Sequence, residues 1–470
     1  MDKIITWGAI ETAARIKAKT VSVADVTEAH LNHIAQCEPD LNAVVEVLAA
    51  DARKTAHRLD AIPEDRRGPL HGLPITIKIN VDFAGLPNSN GIPALNAAPA
   101  TQDSPLVASL KQDGAVVIGR TNTPEFSLRW FTSNPIYGVT KNPVNKALTP
   151  GGSSGGAASA VAAGMGVFGH GNDLGGSLRY PAYCCGLTTL RPSLGRVPAF
   201  NPSAPAERPA TLQMMSVQGA IARNVADMRL AMASLQKRSS RDPLWNNAPD
   251  SGRSRGAKLR IGVCVDPFGD GVAPEVAAGV EIAAAALVAQ GCRRVDIVPP
   301  LAIETATAWG TLLNAETFVM MIDAMKSVGS PEVINLLERY ADVYPVPTLK
   351  GFMQQQAMRL TAQRAWSMMF DDIDALLTPV SAAEPFGLEL DFKSPERTRE
   401  ILMAQRVLFL ANVLGLPAAS VPTGMNKGVP MGVQIIGAWR DDNLCLDVAQ
   451  AIETGLGINV RPVNGLTKSA

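Results

Sequence analysis

The sequence predicts an α/β fold in which a central twisted, mostly parallel or mixed β-sheet is covered by helices on both faces. Three observations predict it. Strand-like runs alternate with helical ones along the chain, which puts helices on the faces of a sheet. Residues 259–265, 274–290 and 294–298 read as strand, helix and strand in succession, a β-α-β unit. The glycine- and alanine-rich stretch from Ala147 to Asn172 carries no formal charge and reads as buried. With 470 residues and 46% hydrophobic composition, the chain can bury a large core. It reads as a single α/β domain over 1–470, with a polar connecting segment at about 237–258.

Taken in order, residues 6–36 form two helices. Ser22 with Asp25 three positions on is a capping-box start for the second. His30 and His33 share that helix, but with no third ligand nearby they read as a solvated face rather than a metal site. Residues 73–81 alternate as a strand, with Leu73, Ile75, Ile77 and Ile79 on one face and Thr76, Lys78 and Asn80 on the other. A helix at 104–113 between Ser104-Pro105 and Gly114, a strand at 115–119, and a loop holding Trp130 and Phe131 follow. Residues 156–166 are a small-residue helix whose N-terminus faces the preceding glycine loop. A proline-rich loop at 196–210 leads to a helix at 225–236 capped by Asn224. After the β-α-β unit come helices near 302–327, 331–341 and 350–371, strands at 417–422 and 431–437, and a helix at 441–455.

Lys+Arg and Asp+Glu both number 43, so the formal net charge is zero. Without a basic excess, nucleic acid and acidic membrane surfaces are not expected partners. The six cysteines are scattered without a C-x-x-C pair, which predicts a reduced, cytoplasmic protein with no disulfide framework and no zinc site. No stretch is long and apolar enough to span a bilayer, and the N-terminus lacks the pattern of a signal peptide.

Two serines sit in glycine settings, Ser153 within Gly151-Gly152-Ser153-Ser154-Gly155-Gly156 and Ser177 after Gly175-Gly176. Glycine lets a ligand approach main-chain N–H groups closely, as a nucleophile with an oxyanion hole requires. Gly152-Ser153-Ser154-Gly155-Gly156 also matches the G-x-S-x-G elbow of α/β-hydrolases around Ser154. That fold needs a histidine late in the chain, and none follows His170. Ser234-Leu235-Gln236-Lys237 matches S-x-x-K but reads as a chance match at a helix end. His170 lies on the strand that feeds the Ser177 loop and is a poor candidate base. Lysine is then the natural base if it is held neutral. An exposed lysine is neutral about once in 2,500 molecules at pH 7, whereas burial can lower its pKa by up to about 3–5 units. Lys78 is the only formally charged residue between Arg67 and Asp82. Its surroundings suggest burial of that kind, against the plainer reading of an edge-strand or snorkelling lysine.

Leu73-Pro74-Ile75-Thr76-Ile77-Lys78-Ile79-Asn80, the Gly-Gly-Ser-Ser-Gly-Gly loop, and Asn172-Asp173-Leu174-Gly175-Gly176-Ser177-Leu178-Arg179-Tyr180-Pro181 together resemble the amidase signature family. The spacing from Lys78 to Ser153 and on to Ser177 agrees with that family's Lys, cis-Ser, Ser triad. Further matches run from Thr121-Asn122-Thr123-Pro124 to Gly415-Leu416-Pro417, with the signature core at about 65–230. The resemblance implies a cofactor-free and metal-free amide hydrolase. Ser177 would be the nucleophile, Ser153 the relay, Lys78 the base, and the Gly152–Ser153 bond cis. It also implies an oxyanion hole at the N–H groups of Leu174, Gly175, Gly176 and Ser177, and supporting roles for Ser154, Asp173 and Arg179. The implied partner is a small-molecule amide, with esters and carbamates open to the same chemistry and a homodimer compatible with it. The amidase component of a tRNA-dependent amidotransferase, which releases ammonia from glutamine or asparagine, is similar in motif and length.

Two departures stand out. Family members often carry threonine before the aspartate, where this chain has Asn172, and valine with Lys-Asp after it, where this chain has Ile77, Ile79 and Asn80. The second removes a carboxylate near Lys78. Trp130, Phe131 and the segments 196–216 and 305–355 are candidates for a substrate pocket, with core filling the competing role.

Overall fold

The computed structural model describes residues 3–249 and 258–463. Most of the polar connecting segment is therefore described, while its residues 250–257 lie outside the described residues. Thirteen strands occur among the described residues: β1 Glu46–Val47, β2 Pro74–Lys78, β3 Val116–Thr121, β4 Ser133–Asn134, β5 Gly138–Val139, β6 Phe168–Asp173, β7 Thr188–Arg191, β8 Val217–Ala222, β9 Arg260–Val263, β10 Arg293–Asp296, β11 Ala375–Pro379, β12 Ala418–Asn426 and β13 Val429–Gly437. Apart from the β4–β5 pair they form one sheet in the order β1-β3-β2-β6-β8-β7-β12-β13-β11-β9-β10. Of the two forms expected, the sheet takes the mixed one. The pairs β3–β2, β2–β6, β11–β9 and β9–β10 are parallel, and the others are antiparallel.

Alternation along single strands explains why both faces are covered. On β11, Ala375 and Leu377 join one apolar core while Leu376 joins the other. On β13, Val433 and Ile435 are divided from Ile436 in the same way. Each strand thus needs helices on both sides, which is why these strands read as nearly continuous hydrophobic runs. Helices Ala302–Glu316, Leu349–Asp372 and Pro395–Leu414 supply one core, and Val225–Leu235, Pro274–Ala289 and Asp442–Gly455 the other.

The β-α-β unit is present as β9, helix Pro274–Ala289 and β10. Strands β12 and β13 form a hairpin closed at Lys427 and Gly428, both with positive φ (46° and 82°), the geometry of a two-residue turn that matches strand twist. Strand β2 is shorter than 73–81 and ends at Lys78. Both of its faces are buried, so Thr76 and Lys78 lie as deep as Ile75 and Ile77.

His30 and His33 depart from the solvated face expected of them. His30 is buried and its Nδ1 sits 3.0 Å from the Gly164 carbonyl, while His33 Nε2 lies 2.7 Å from the Ala163 carbonyl. They fasten the helix Val23–Leu41 to the turn before β6. Burial lowers the pKa of His30 to about 3, with Arg223 and His33 adding to the effect, so the ring packs there neutral.

Candidate active site

Three segments far apart in sequence converge at the C-terminal ends of β2 and β6, where a parallel pair leaves its loops side by side. Lys78 is the last residue of β2, Ser153 and Ser154 lie at the N-terminal end of helix Gly155–Ala162, and Ser177 follows the turn after β6. The Gly152–Ser153 peptide is cis. Lys78 is fully buried, and its Nζ lies 2.7 Å from Ser153 Oγ, 2.8 Å from Asn172 Oδ1 and 3.2 Å from Ser154 Oγ. Burial lowers the Lys78 pKa well below 10.5, and the Asp173 carboxylate opposes this only in part. Asp173 is itself held ionised by its own partners. Burial would raise its carboxyl, but Arg179 at 2.9 Å, with Arg191 and Asn412, holds it below the usual carboxylate range.

Two of the positions that depart from the family pattern, Asn80 and Asn172, meet each other at this point. Asn172 Nδ2 donates to Asn80 Oδ1 (2.9 Å), which turns Asn172 Oδ1 toward the lysine. Asn80 Nδ2 donates in turn to Ser127 Oγ (2.9 Å). Lys78 thus faces amide dipoles and hydroxyls rather than a carboxylate. All three oxygens can accept from a protonated amine. In a neutral one, two N–H groups are accepted by Asn172 and Ser154, and the lone pair is left for the Ser153 hydroxyl.

Asp173 also braces the loop that carries Ser177. It accepts from the N–H groups of Gly176 (2.9 Å) and Leu178 (3.1 Å) and from Arg179 Nε (3.1 Å). This corrects one expected oxyanion donor: the Gly176 N–H is already given to Asp173. The N–H groups of Leu174, Gly175 and Ser177 have no partner among the described residues.

Ser153 and Ser177 line the same cavity, of about 650 Å³, a size typical of small-molecule sites. Asn80, Asn172 and Ser127 form its polar wall, and Phe126, Leu212, Met321 and Met325 give it apolar surface. Residues from the proline-rich loop, Ala199 to Arg208, close another side. That loop is fastened by the Asp82 carboxylate, which accepts from the Ser203 N–H (2.6 Å) and hydroxyl (2.7 Å). Trp130 borders an adjoining narrow recess beside Ser177, together with Trp309. Phe131 belongs to the core instead.

The competing sequence readings resolve into structural roles. Ser234 and Lys237 both bond the Asp113 carboxylate. His170 is buried with Nε2 3.0 Å from Gln218 Oε1, and burial lowers its pKa to about 3. Among the described residues no group of His, Cys, Asp and Glu could hold a metal ion, and no helix is long and apolar enough to cross a membrane.

The chain is thus an α/β protein with one large mixed sheet and a lysine buried against a serine pair beside a glycine loop, outside the histidine-dependent α/β-hydrolases. A family model described as Amidase matches residues 25–446, and the chain belongs to the amidase signature family. It is an enzyme that hydrolyses amide C–N bonds. The indoleacetamide hydrolase of Bradyrhizobium diazoefficiens is 44% identical over 456 residues, covering 96% of this chain and 87% of the relative. A glutamyl-tRNA(Gln) amidotransferase subunit from a Synechococcus species is 31% identical over 481 residues, covering 93% of this chain and 94% of the relative. Among solved structures, a bacterial aryl acylamidase of the same family superposes with a TM-score of 0.83 at 27% identity, covering 96% of each chain.

Proposed function

We propose that the enzyme hydrolyses a small arylacetamide-type amide through an acyl-enzyme on Ser177, with Ser153 and Lys78 as the proton relay. As the Ser177 hydroxyl attacks the substrate carbonyl, its proton passes to Ser153 while the Ser153 proton passes to the neutral amine of Lys78. When the tetrahedral intermediate collapses, a proton returns through Ser153 to the leaving nitrogen and the C–N bond breaks. Water then attacks the acyl ester by the same route, releasing the acid and restoring Ser177. The observation that carries this reading is the buried 2.7 Å contact between Lys78 and Ser153. Burial favours the uncharged amine, which is the form that can accept a proton. Once protonated, Lys78 has three N–H groups for three oxygens, so the added proton is satisfied where the amine stands. The Ser177 hydroxyl, which makes no hydrogen bond among the described residues, turns to Ser153 for the first transfer.

The substrate class rests on the 44% identity to an indoleacetamide hydrolase and on the apolar surface given to the cavity by Phe126, Leu212, Met321 and Met325. Burying an aromatic ring of about 200 Å² contributes up to about 5 kcal/mol, which glutamine cannot match. Indole-3-acetamide and phenylacetamide are therefore expected to exceed glutamine in kcat/KM by about 100-fold or more, read as ammonia released by the purified chain alone. The similarity to an amidotransferase component favours a second reading, in which glutamine is the ammonia source and a partner protein is needed. Preferential release of ammonia from glutamine would establish it.

The amide pair at 80 and 172 makes a separate prediction. Asn172→Asp places a carboxylate against Lys78 and stabilises its charged form. The acid limb of the kcat/KM profile is then expected to move to higher pH by about 1–3 pH units. The other ionisable groups facing this site, Asp173 held by Arg179 and His170 held neutral by burial, stay as they are.

A further inference from the structure

The indole N–H groups of the two tryptophans that share a recess with Ser177 are both spent on the backbone of the loop that precedes it. Trp309 Nε1 donates to the Leu174 carbonyl (2.9 Å), and Trp130 Nε1 donates to the Gly175 carbonyl (2.9 Å). In a trans peptide the C=O and N–H of one unit point to opposite sides. The Leu174 carbonyl shares its peptide with the Gly175 N–H, and the Gly175 carbonyl shares its peptide with the Gly176 N–H. Holding each oxygen therefore aims the N–H across from it. The Gly176 N–H is directed onto Asp173 (2.9 Å), whereas the Gly175 N–H has no partner among the described residues.

The tryptophans come from separate parts of the fold. Trp130 lies in the loop after β3, and Trp309 on helix Ala302–Glu316. Both are buried and form one aromatic cluster. Trp309 stacks on Phe409 with ring centroids 3.8 Å apart and planes 11° apart, and Trp130 lies 5.9 Å from Trp309. The Trp309 ring also fills the space beside Gly175, where an added Cβ would come within 2.5 Å of Cζ2. Neither indole can swing away without emptying the core, so the loop is held by rigid donors. A hydrogen bond to a carbonyl also polarises the N–H of the same peptide and strengthens what that N–H can donate.

We propose that Trp309, assisted by Trp130, is a positioning residue for the reaction: the indole N–H groups fix the Leu174–Gly175–Gly176 peptides so that the Gly175 N–H is presented to the oxygen of the tetrahedral intermediate on Ser177. This rests on the reading of Ser177 as nucleophile. Core packing alone would explain the rings but not why both N–H groups are directed at successive peptides of this loop.

Trp309→Phe keeps a ring and removes the donor, leaving the Leu174 carbonyl unsatisfied. The expected result is a fall in kcat of about 10- to 100-fold, below the full loss of an oxyanion donor, with KM nearly unchanged. Affinity for an arylmethyl trifluoromethyl ketone, which forms a tetrahedral adduct with a serine, should fall in parallel with kcat/KM. Trp130→Phe should give the same signature with a smaller amplitude, and it carries the test should Trp309→Phe fail to fold. Unchanged kcat, or a rise in KM alone with undiminished ketone affinity, would overturn the proposal and leave the tryptophans as pocket wall. Retained turnover in Ser177→Ala would instead remove the nucleophile reading beneath it, so the two failures are told apart.

Discussion

Ser177→Ala is expected to lower kcat/KM by about 10⁴–10⁶-fold and to leave the fold intact. The side chain makes no hydrogen bond among the described residues, so its removal leaves no buried partner unsatisfied. Asp173, Arg179 and the indole donors hold the loop whether or not the hydroxyl is present. Steady-state hydrolysis of an aryl amide, paired with a thermal melt, reads both halves of the prediction. A melt at the wild-type temperature with turnover gone assigns the loss to chemistry.

Lys78→Met is expected to cost about 10²–10⁴-fold in kcat/KM, the contribution of a positioned general base, and to remove the acid limb of the pH profile. In the proposed relay, wild-type activity is expected to fall as pH drops through the lowered pKa of Lys78, because a protonated amine could not accept the Ser153 proton. The same substitution has a signature in stability. In the unfolded chain Lys78 regains its usual pKa near 10.5, while burial depresses it in the fold. Between the two values the unfolded state binds the extra proton, so wild-type stability rises with pH by about 1.4 kcal/mol per pH unit from this group. The cost of burying the lysine is fully in place below the folded pKa and vanishes above 10.5. Methionine removes that slope. The stability of Lys78→Met relative to wild type should therefore decline as pH rises through the window, measured by denaturant unfolding at several pH values. The hydroxyls and amide left without the amine shift the difference by a constant, not its slope.

Much of the candidate site's composition is legible in the sequence because the residues it brings together stand out by type and setting along the chain. Lys78 stands alone in an apolar run, and Ser153 and Ser177 stand among glycines. The absence of a histidine beyond His170 excludes the usual serine-hydrolase base. The expectation of a free Gly176 N–H fails because its partner is a side chain three residues earlier that turns back onto the loop, a folding of the loop that no pattern of letters encodes. His30 and His33 read as solvated because the turn that covers them, at 163–166, lies more than a hundred residues away. The pairing of Asn80 with Asn172 and the hold of Trp309 on Leu174 are hidden for the same reason.

Several of the elements that escape a reading of the sequence share a physical cause. Helix Pro395–Leu414 is apolar nearly all round over its last four turns, from Ile401 to Leu414, and is mostly buried there, so it lacks the one-sided stripe by which a surface helix is recognised. Helix Arg179–Cys185 is short and wholly buried. Strands β7 and β8 lie in the middle of a sheet covered on both faces and show no polar alternation. By contrast, the β-α-β unit and the helix capped by Ser22 carry their own boundary signals and are found where expected.

The central claim is that an uncharged amine at position 78 activates Ser177 through the hydroxyl of Ser153. Its most direct test is the rate at which a fluorophosphonate probe labels the wild type and Lys78→Met across pH, with the modified residue located by peptide mass mapping. The expected result is a label on Ser177 whose rate falls with a single protonation in the wild type, and slow labelling without that protonation in the variant. A label on another residue, or the same rate and pH dependence in both proteins, would contradict it.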